Sequence, residues 1–191
     1  MNTRVTLLDH AETAIRQRGY TGFSYADLAK TVGIRKASIH HHFPTKAALG
    51  LSLIERYAAR FFERLDDIAV AQSAAADQLR AYIDLYCEAL ARGEQVCLCV
   101  ALSAGRDHLS DDILVQLEEF HARSISWLER AFSRAQDDGS VKGISDPNAE
   151  AHALLALVEG AQLLARASKT PALFEHATAA FAGRLHSETP R

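Results

Sequence analysis

The residues of this sequence best able to do chemistry lie in one stretch, Gly33-Ile34-Arg35-Lys36-Ala37-Ser38-Ile39-His40-His41-His42-Phe43-Pro44. At about 100° per residue on a helix, Ile39 and Phe43 stack one turn apart on one side. Ser38, His41 and His42 fan across the other, with Ala37 and His40 beside them. Arg35 and Lys36 stand at the entrance. The free side therefore carries no acid, a small residue that permits close approach, a hydroxyl, three imidazoles and two cations. Such groups donate to phosphate oxygens and reach base edges in a DNA groove. Three consecutive histidines also suggest a metal, but neighbours on a helix point about 100° apart, whereas two ligands of one ion need a spacing such as i and i+4. No metal and no cofactor is expected.

The elements that must position this face are legible around it. Gly33 can take the φ > 0 conformation of a tight inter-helix corner, and Pro44 ends the helix that follows. Ser24 is a good N-cap for a preceding helix, with Asp27 three residues on to complete a capping box and Tyr25, Leu28, Ala29 and Val32 on the buried side. A first helix from Thr3 to Arg18, with Leu7, Leu8, Ala11, Ala14 and Ile15 on one stripe, ends at Gly19 and packs behind the pair. Thr45 caps a fourth helix from Lys46 to about Asp67, whose N-terminus and Lys46 together favour a phosphate.

The order Gly19-Tyr20-x-Gly22-Phe23-Ser24-x-x-Asp27-Leu28-Ala29-x-x-x-Gly33-x-x-Lys36-x-Ser38-x-x-x-His42-Phe43-x-x-Lys46-x-x-Leu49 resembles the DNA-binding domain of the TetR family of bacterial repressors, TetR/AcrR type, over residues 4–56. It departs from the family at His40-His41, where Tyr-Tyr is usual. The resemblance implies that Lys36, Ala37 and Ser38, with Arg35 at the entrance, face base edges. It implies phosphate contacts for Ser24, His40, His41, His42 and Lys46. It further implies a homodimer through the last two helices, a double-stranded palindromic operator and release by a small-molecule inducer.

The charge distribution agrees. The 191 residues carry a net charge of −3, but residues 1–50 hold seven basic against three acidic side chains and the remainder fourteen against twenty-one. A basic head on an acidic body suits a polyanion partner for the head alone. No apolar run approaches the roughly 20 residues of a membrane span, and Met1-Asn2-Thr3-Arg4-Val5 has no signal-peptide core, so the expectation is a cytoplasmic protein with no membrane partner. There is no Gly-rich phosphate loop, nucleophile elbow or His-Glu-x-x-His, so an enzyme is not expected.

Beyond residue 70 no run alternates with period two. Helices are expected over about Asp77 to Arg92, Val96 to Ala104, Ser110 to Gln136, Pro147 to Ser168 and Pro171 to Leu185, with loops at Asp137–Ser140 and Lys142-Gly143. The predicted fold is all-α: an N-terminal three-helix helix-turn-helix domain, 1–50, joined by a connecting helix to a helical ligand-binding and dimerisation domain, 51–191. Tyr82, Tyr86, Cys97, Phe120 and Trp127 are candidates for an effector pocket between body helices, although the same residues would serve as core. Three cysteines make no disulfide framework. The stretch Gln95 to Ala104, with Cys97 and Cys99, is similar to that of an electrophile-sensing, N-ethylmaleimide-responsive subgroup of the family. That likeness implies an alternative, a thiol-based sensor of the same fold. The subgroup's further cysteine is missing, its neighbourhood being Arg106 and Asp107, and a cysteine in an apolar run is also simply a small buried hydrophobe.

Overall fold

The computed structural model describes residues 2–186, and its secondary structure there is helical apart from one isolated bridge. In chain order the helices are α1 (Thr3–Arg18), α2 (Tyr25–Val32), α3 (Lys36–His42), α4 (Lys46–Ala71), α5 (Ala75–Ala89), α6 (Leu98–Ser103), α7 (Asp111–Asp138), α8 (Pro147–Ser168) and α9 (Ala172–Ala182). The bridge pairs Val141, in the loop after α7, with Leu185. None of these helices is long and apolar enough to cross a membrane.

The chain forms two compact units. The first runs to Arg60 and takes in Cys97–Phe120; the second holds Phe61–Val96 and the chain from His121. The boundary drawn from sequence at residue 50 falls inside α4, and the first unit recruits α6 and the start of α7, which are distant in sequence.

In the first unit, α1 buries Leu7, Leu8, Ala11 and Ile15 almost completely and packs on α2 and α6. The same helix carries one buried acid. Glu12 accepts from Arg56 at 2.9 Å and from Arg60 at 2.6 Å, with Arg16 at 3.7 Å, and Arg56 reaches Asp9 at 2.8 Å as well. A carboxylate withdrawn from water needs such partners, and here they fasten α1 to α4.

In the second unit, α5, α7, α8 and α9 enclose Leu79, Tyr82, Tyr86, Leu128, Phe132, Leu154, Val158 and Phe174. Arg184, just past α9, holds Glu150 in the first turn of α8 with two bonds of 2.6 and 2.9 Å, so the last two helices run antiparallel. The side chain of Gln162, buried in α8, donates to the Tyr86 carbonyl at 2.6 Å. Helix α5 starts at Ala75, two residues before the start read from sequence, because its first amides are met from far away. Asp138 accepts from the Ala75 N–H at 3.2 Å and the Ser140 hydroxyl from that of Ala76 at 3.1 Å. It ends at Ala89 because Ala91 and Arg92 turn to positive φ.

Replacing Glu12 by Ala removes the acceptor that Arg56 and Arg60 share and leaves Arg56 with Asp9 alone. We expect a loss of about 2 kcal/mol, below the ~3–5 kcal/mol of a fully buried pair because Arg60 is half exposed. Denaturant unfolding of the two proteins measures it, and an unchanged midpoint would show the cluster to be ornamental.

Candidate nucleic-acid interface

The corner between α2 and α3 is built by local chemistry. Ser24 and Asp27 form a complete capping box: the Ser24 hydroxyl accepts from the Asp27 N–H at 3.3 Å, while Asp27 accepts from the Ser24 N–H at 2.8 Å. Bonds from the Ser24 hydroxyl and amide hold the Asp27 carboxyl below its usual range. Gly33 stands at φ 74°, ψ 31°, and its N–H closes on the Ala29 carbonyl at 2.9 Å. This left-handed corner is the one the sequence predicts, and a side chain there would be strained.

Helix α3 is anchored by Ile39, fully buried, and Phe43, at 2% exposure. Arg35, Lys36, Ala37, Ser38, His40 and His41 are all exposed, and His42 is half-buried. The Tyr25 hydroxyl lies between the carbonyls of Phe43 and Thr45, at 3.0 and 2.6 Å. Burial, with Tyr20 nearby, pushes its pKa to about 12, so it remains a donor at any physiological pH.

His40 turns its Nδ1 to the Pro44 carbonyl at 3.1 Å, which requires the proton on that nitrogen, and lies edge-on to Tyr25 with ring centres 5.0 Å apart. His41 and His42 meet edge to face at 5.5 Å. Lys46 is half-buried: its ammonium donates to the Phe23 carbonyl at 2.7 Å and stands over the rings of Phe23 and Tyr20 at 4.3 and 4.8 Å. Burial lowers its pKa against the pull of Asp27. The structure thus gives Ser24, His40 and Lys46 intramolecular work in addition to the contacts expected of them, whereas Arg35, Lys36, Ala37, Ser38 and His41 share one exposed helix and its entrance.

Two family models match this chain, that of bacterial regulatory proteins, tetR family, over residues 7–53 and that of the tetracyclin repressor-like C-terminal domain over residues 75–181. The chain belongs to the TetR family. It is 29% identical over 181 residues to the HTH-type transcriptional repressor NemR of Escherichia coli, covering 93% of this chain and 91% of NemR. The crystal structure of NemR in its reduced form superposes with a TM-score of 0.82 at 28% identity, over 99% of this chain and all of that one. A TetR-family regulator from Agrobacterium tumefaciens superposes at 0.90 with 31% identity, over 96% of this chain and 97% of that one. The protein is accordingly a DNA-binding transcriptional regulator of helix-turn-helix type and not an enzyme, with the all-α architecture that its periodicity predicts.

The five candidate pocket residues of this TetR-family chain divide between its two units. In the second unit Tyr82 lies 5.3 Å from Tyr86 and stacks on Trp127 at 5.7 Å and 20°. Phe61 stands edge-on to both tyrosines, at 6.2 and 6.0 Å. In the first unit Cys97 and Phe120 gather around Tyr57, whose hydroxyl donates to the Cys97 sulfur at 3.3 Å and whose ring is 6.3 Å from that of Phe120. Burial drives the Tyr57 pKa far up.

Sequence reasoning missed Tyr25, Tyr57 and Glu12 as polar anchors, since each reaches a partner 18 to 48 residues away. Tyr25→Phe keeps the ring and deletes only the hydroxyl that joins α2 to the end of α3. The expected cost is about 1–2 kcal/mol of stability, read by denaturant unfolding, with faster amide exchange in α3 than elsewhere; unaltered exchange in α3 would show that the hydroxyl does not hold it.

Proposed function

We propose that the protein is a homodimeric repressor that binds a palindromic operator through α3 and is released when a small molecule binds its body. The observation that carries this reading is the acid-free exposed face of α3, held by Ile39 and Phe43 behind it. Arg35, Lys36, Ala37 and Ser38 meet base edges, and His41 and His42 meet phosphates together with Ser24, His40 and Lys46. Of the last three, Lys46 does so with the ammonium hydrogens that the Phe23 carbonyl leaves over, whereas Ser24 and a neutral His40 must first release the donors they give to Asp27 and Pro44.

Dimerisation is supported by an uncovered face on the last two helices. Ala153, Ala156, Leu163, Leu164 and Ala167 are exposed along one stripe of α8, with half-buried Leu157 and Gly160 in the same line. Leu163 and Leu164 are 46% and 60% exposed, and a Cβ added to Gly160 would touch nothing. Exposed Ala172, Leu173, Ala179 and Ala180 extend the surface onto α9. Small and apolar residues at helical spacing let a second copy pack closely, and a two-fold dimer sets two recognition helices against two half-sites. Induction acts through α4, an unbroken helix of 26 residues between the head and the body, and lowers operator affinity by as much as the ligand prefers the non-binding arrangement.

The inducer is non-covalent in this reading. Cys97 and Cys99 are 1% and 0% exposed. The half-buried Cys87 is held up in pKa by burial and by Glu175, Asp84 and Glu88. Low exposure and a scarce thiolate both work against reaction with electrophiles.

Two experiments test the proposal. Ser38→Ala should weaken operator binding by about 1–3 kcal/mol while hardly changing binding to random DNA, whereas His41→Ala should weaken both alike, as titrations by fluorescence anisotropy would record; equal effects of the two substitutions would defeat the base-reading role. Leu164→Glu should yield a folded monomer by light scattering, with operator affinity lost, and persistence of the dimer would place its interface elsewhere.

A further inference from the structure

Among the proposed phosphate contacts, His40 has its donor already committed. Its Nδ1 meets the Pro44 carbonyl at 3.1 Å, and a carbonyl only accepts, so the proton sits on that nitrogen. A neutral imidazole has one N–H, which leaves Nε2 as a bare acceptor that a phosphate oxygen repels. His40 is exposed, and its Nε2 has no partner among the described residues. We infer that DNA binding takes up a proton, placed on Nε2 of His40, so that the imidazolium spans the Pro44 carbonyl and a phosphate oxygen. The inference rests on the reading of α3 as the DNA-binding helix.

The other route to a phosphate is to let go of Pro44, and the fold works against it. The bond closes the end of a helix of seven residues. It does so at the corner where the Tyr25 hydroxyl meets the carbonyls of Phe43 and Thr45, and the Tyr25 ring also lies edge-on to that of His40. Release would loosen the corner that presents α3, whereas protonation keeps the bond and adds a charge-assisted donor. Imidazole is the side chain that exchanges its proton in the physiological range. His41 and His42 make no such bond among the described residues and can donate as neutral rings, so the requirement falls on His40.

The surrounding charges make DNA the counter-charge for this proton. Arg35, Lys36, His41 and His42 stand on α3 and its entrance, with no acid among them. Lys46 opens α4, and from α1 the Arg4 guanidinium lies over the Phe43 ring, 5.1 Å from its centre. Helix α2 contributes Tyr25, neutral at physiological pH, and Asp27, which is engaged by the Ser24 hydroxyl and amide. No carboxylate lies within ion-pair distance of His40, His41 or His42 among the described residues. In the free protein nothing of opposite charge meets a second proton on His40; on DNA a phosphate does. The bound state therefore holds the extra proton, and affinity falls as pH rises.

The full-length protein is titrated by fluorescence anisotropy into a labelled duplex of the DNA upstream of its own coding sequence and into a random duplex, at pH 6 and pH 8 and fixed ionic strength. Affinity for both should fall about tenfold from the lower to the higher pH, the scale of one contact between opposite charges. The slope of log affinity against log salt should be steeper at pH 6 by about one. Calorimetry in buffers of different ionisation enthalpy should count an uptake of up to about one proton. His40→Gln, with folding checked by circular dichroism, should lose the pH dependence and the uptake, whereas His41→Gln should bind more weakly but keep both. Wild-type binding that ignores pH and takes up no proton, a dependence that His40→Gln leaves intact, or one that His41→Gln removes would each overturn the inference. Should His40→Gln fail to fold, the wild-type proton count decides alone. No binding to either duplex at pH 6 would remove the reading of α3 and this inference with it, a result distinct from binding that ignores pH, which removes the inference only.

Discussion

A helix of seven residues does not persist in water, because the cost of its first turn is not recovered over so short a length. The face that we propose meets DNA is carried by such a helix, α3, so the head must hold it from outside. Ile39 and Phe43 supply the apolar anchor. Tyr25 joins α2 to the carbonyls that follow α3, His40 bonds Pro44 across its end, and Lys46 braces the loop before α2 through Phe23. Each contact is modest, and together they leave α3 one orientation.

That arrangement explains why side chains on the proposed DNA-facing surface do internal work. Ser24 is both cap and exposed hydroxyl, and its carboxylate partner Asp27 shares the capping box. Lys46 keeps part of its donor capacity for the Phe23 carbonyl. A phosphate contact at such a residue would come from an already ordered group, which lowers the entropy lost on binding. The Glu12 cluster then fastens the back of the head, α1, to the helix that leaves it, α4.

What the sequence reveals and what it hides follow from distance along the chain. Ser24 with Asp27, Gly33, Thr45 and the Asp146-Pro147 start of α8 act on residues within one turn, so their roles could be read directly. The buried stripe of α1 and the family pattern through Leu49 were legible for the same reason. The start of α5 was not, since Asp138 and Ser140 reach it from the end of α7, more than 60 residues on. Nor could periodicity show that Cys97 and Phe120 lie in the unit of Tyr57 while Tyr82, Tyr86 and Trp127 lie in the other: an aromatic or apolar residue at helical spacing announces burial, and only tertiary packing decides beside what.

The most direct test of the account is a nuclease footprint of the purified protein on the DNA upstream of its own coding sequence, taken across a range of salt concentrations. The account predicts two protected half-sites related by a palindrome, with affinity falling steeply as salt rises. Protection without a palindrome, or no specific protection at any salt concentration, would contradict it.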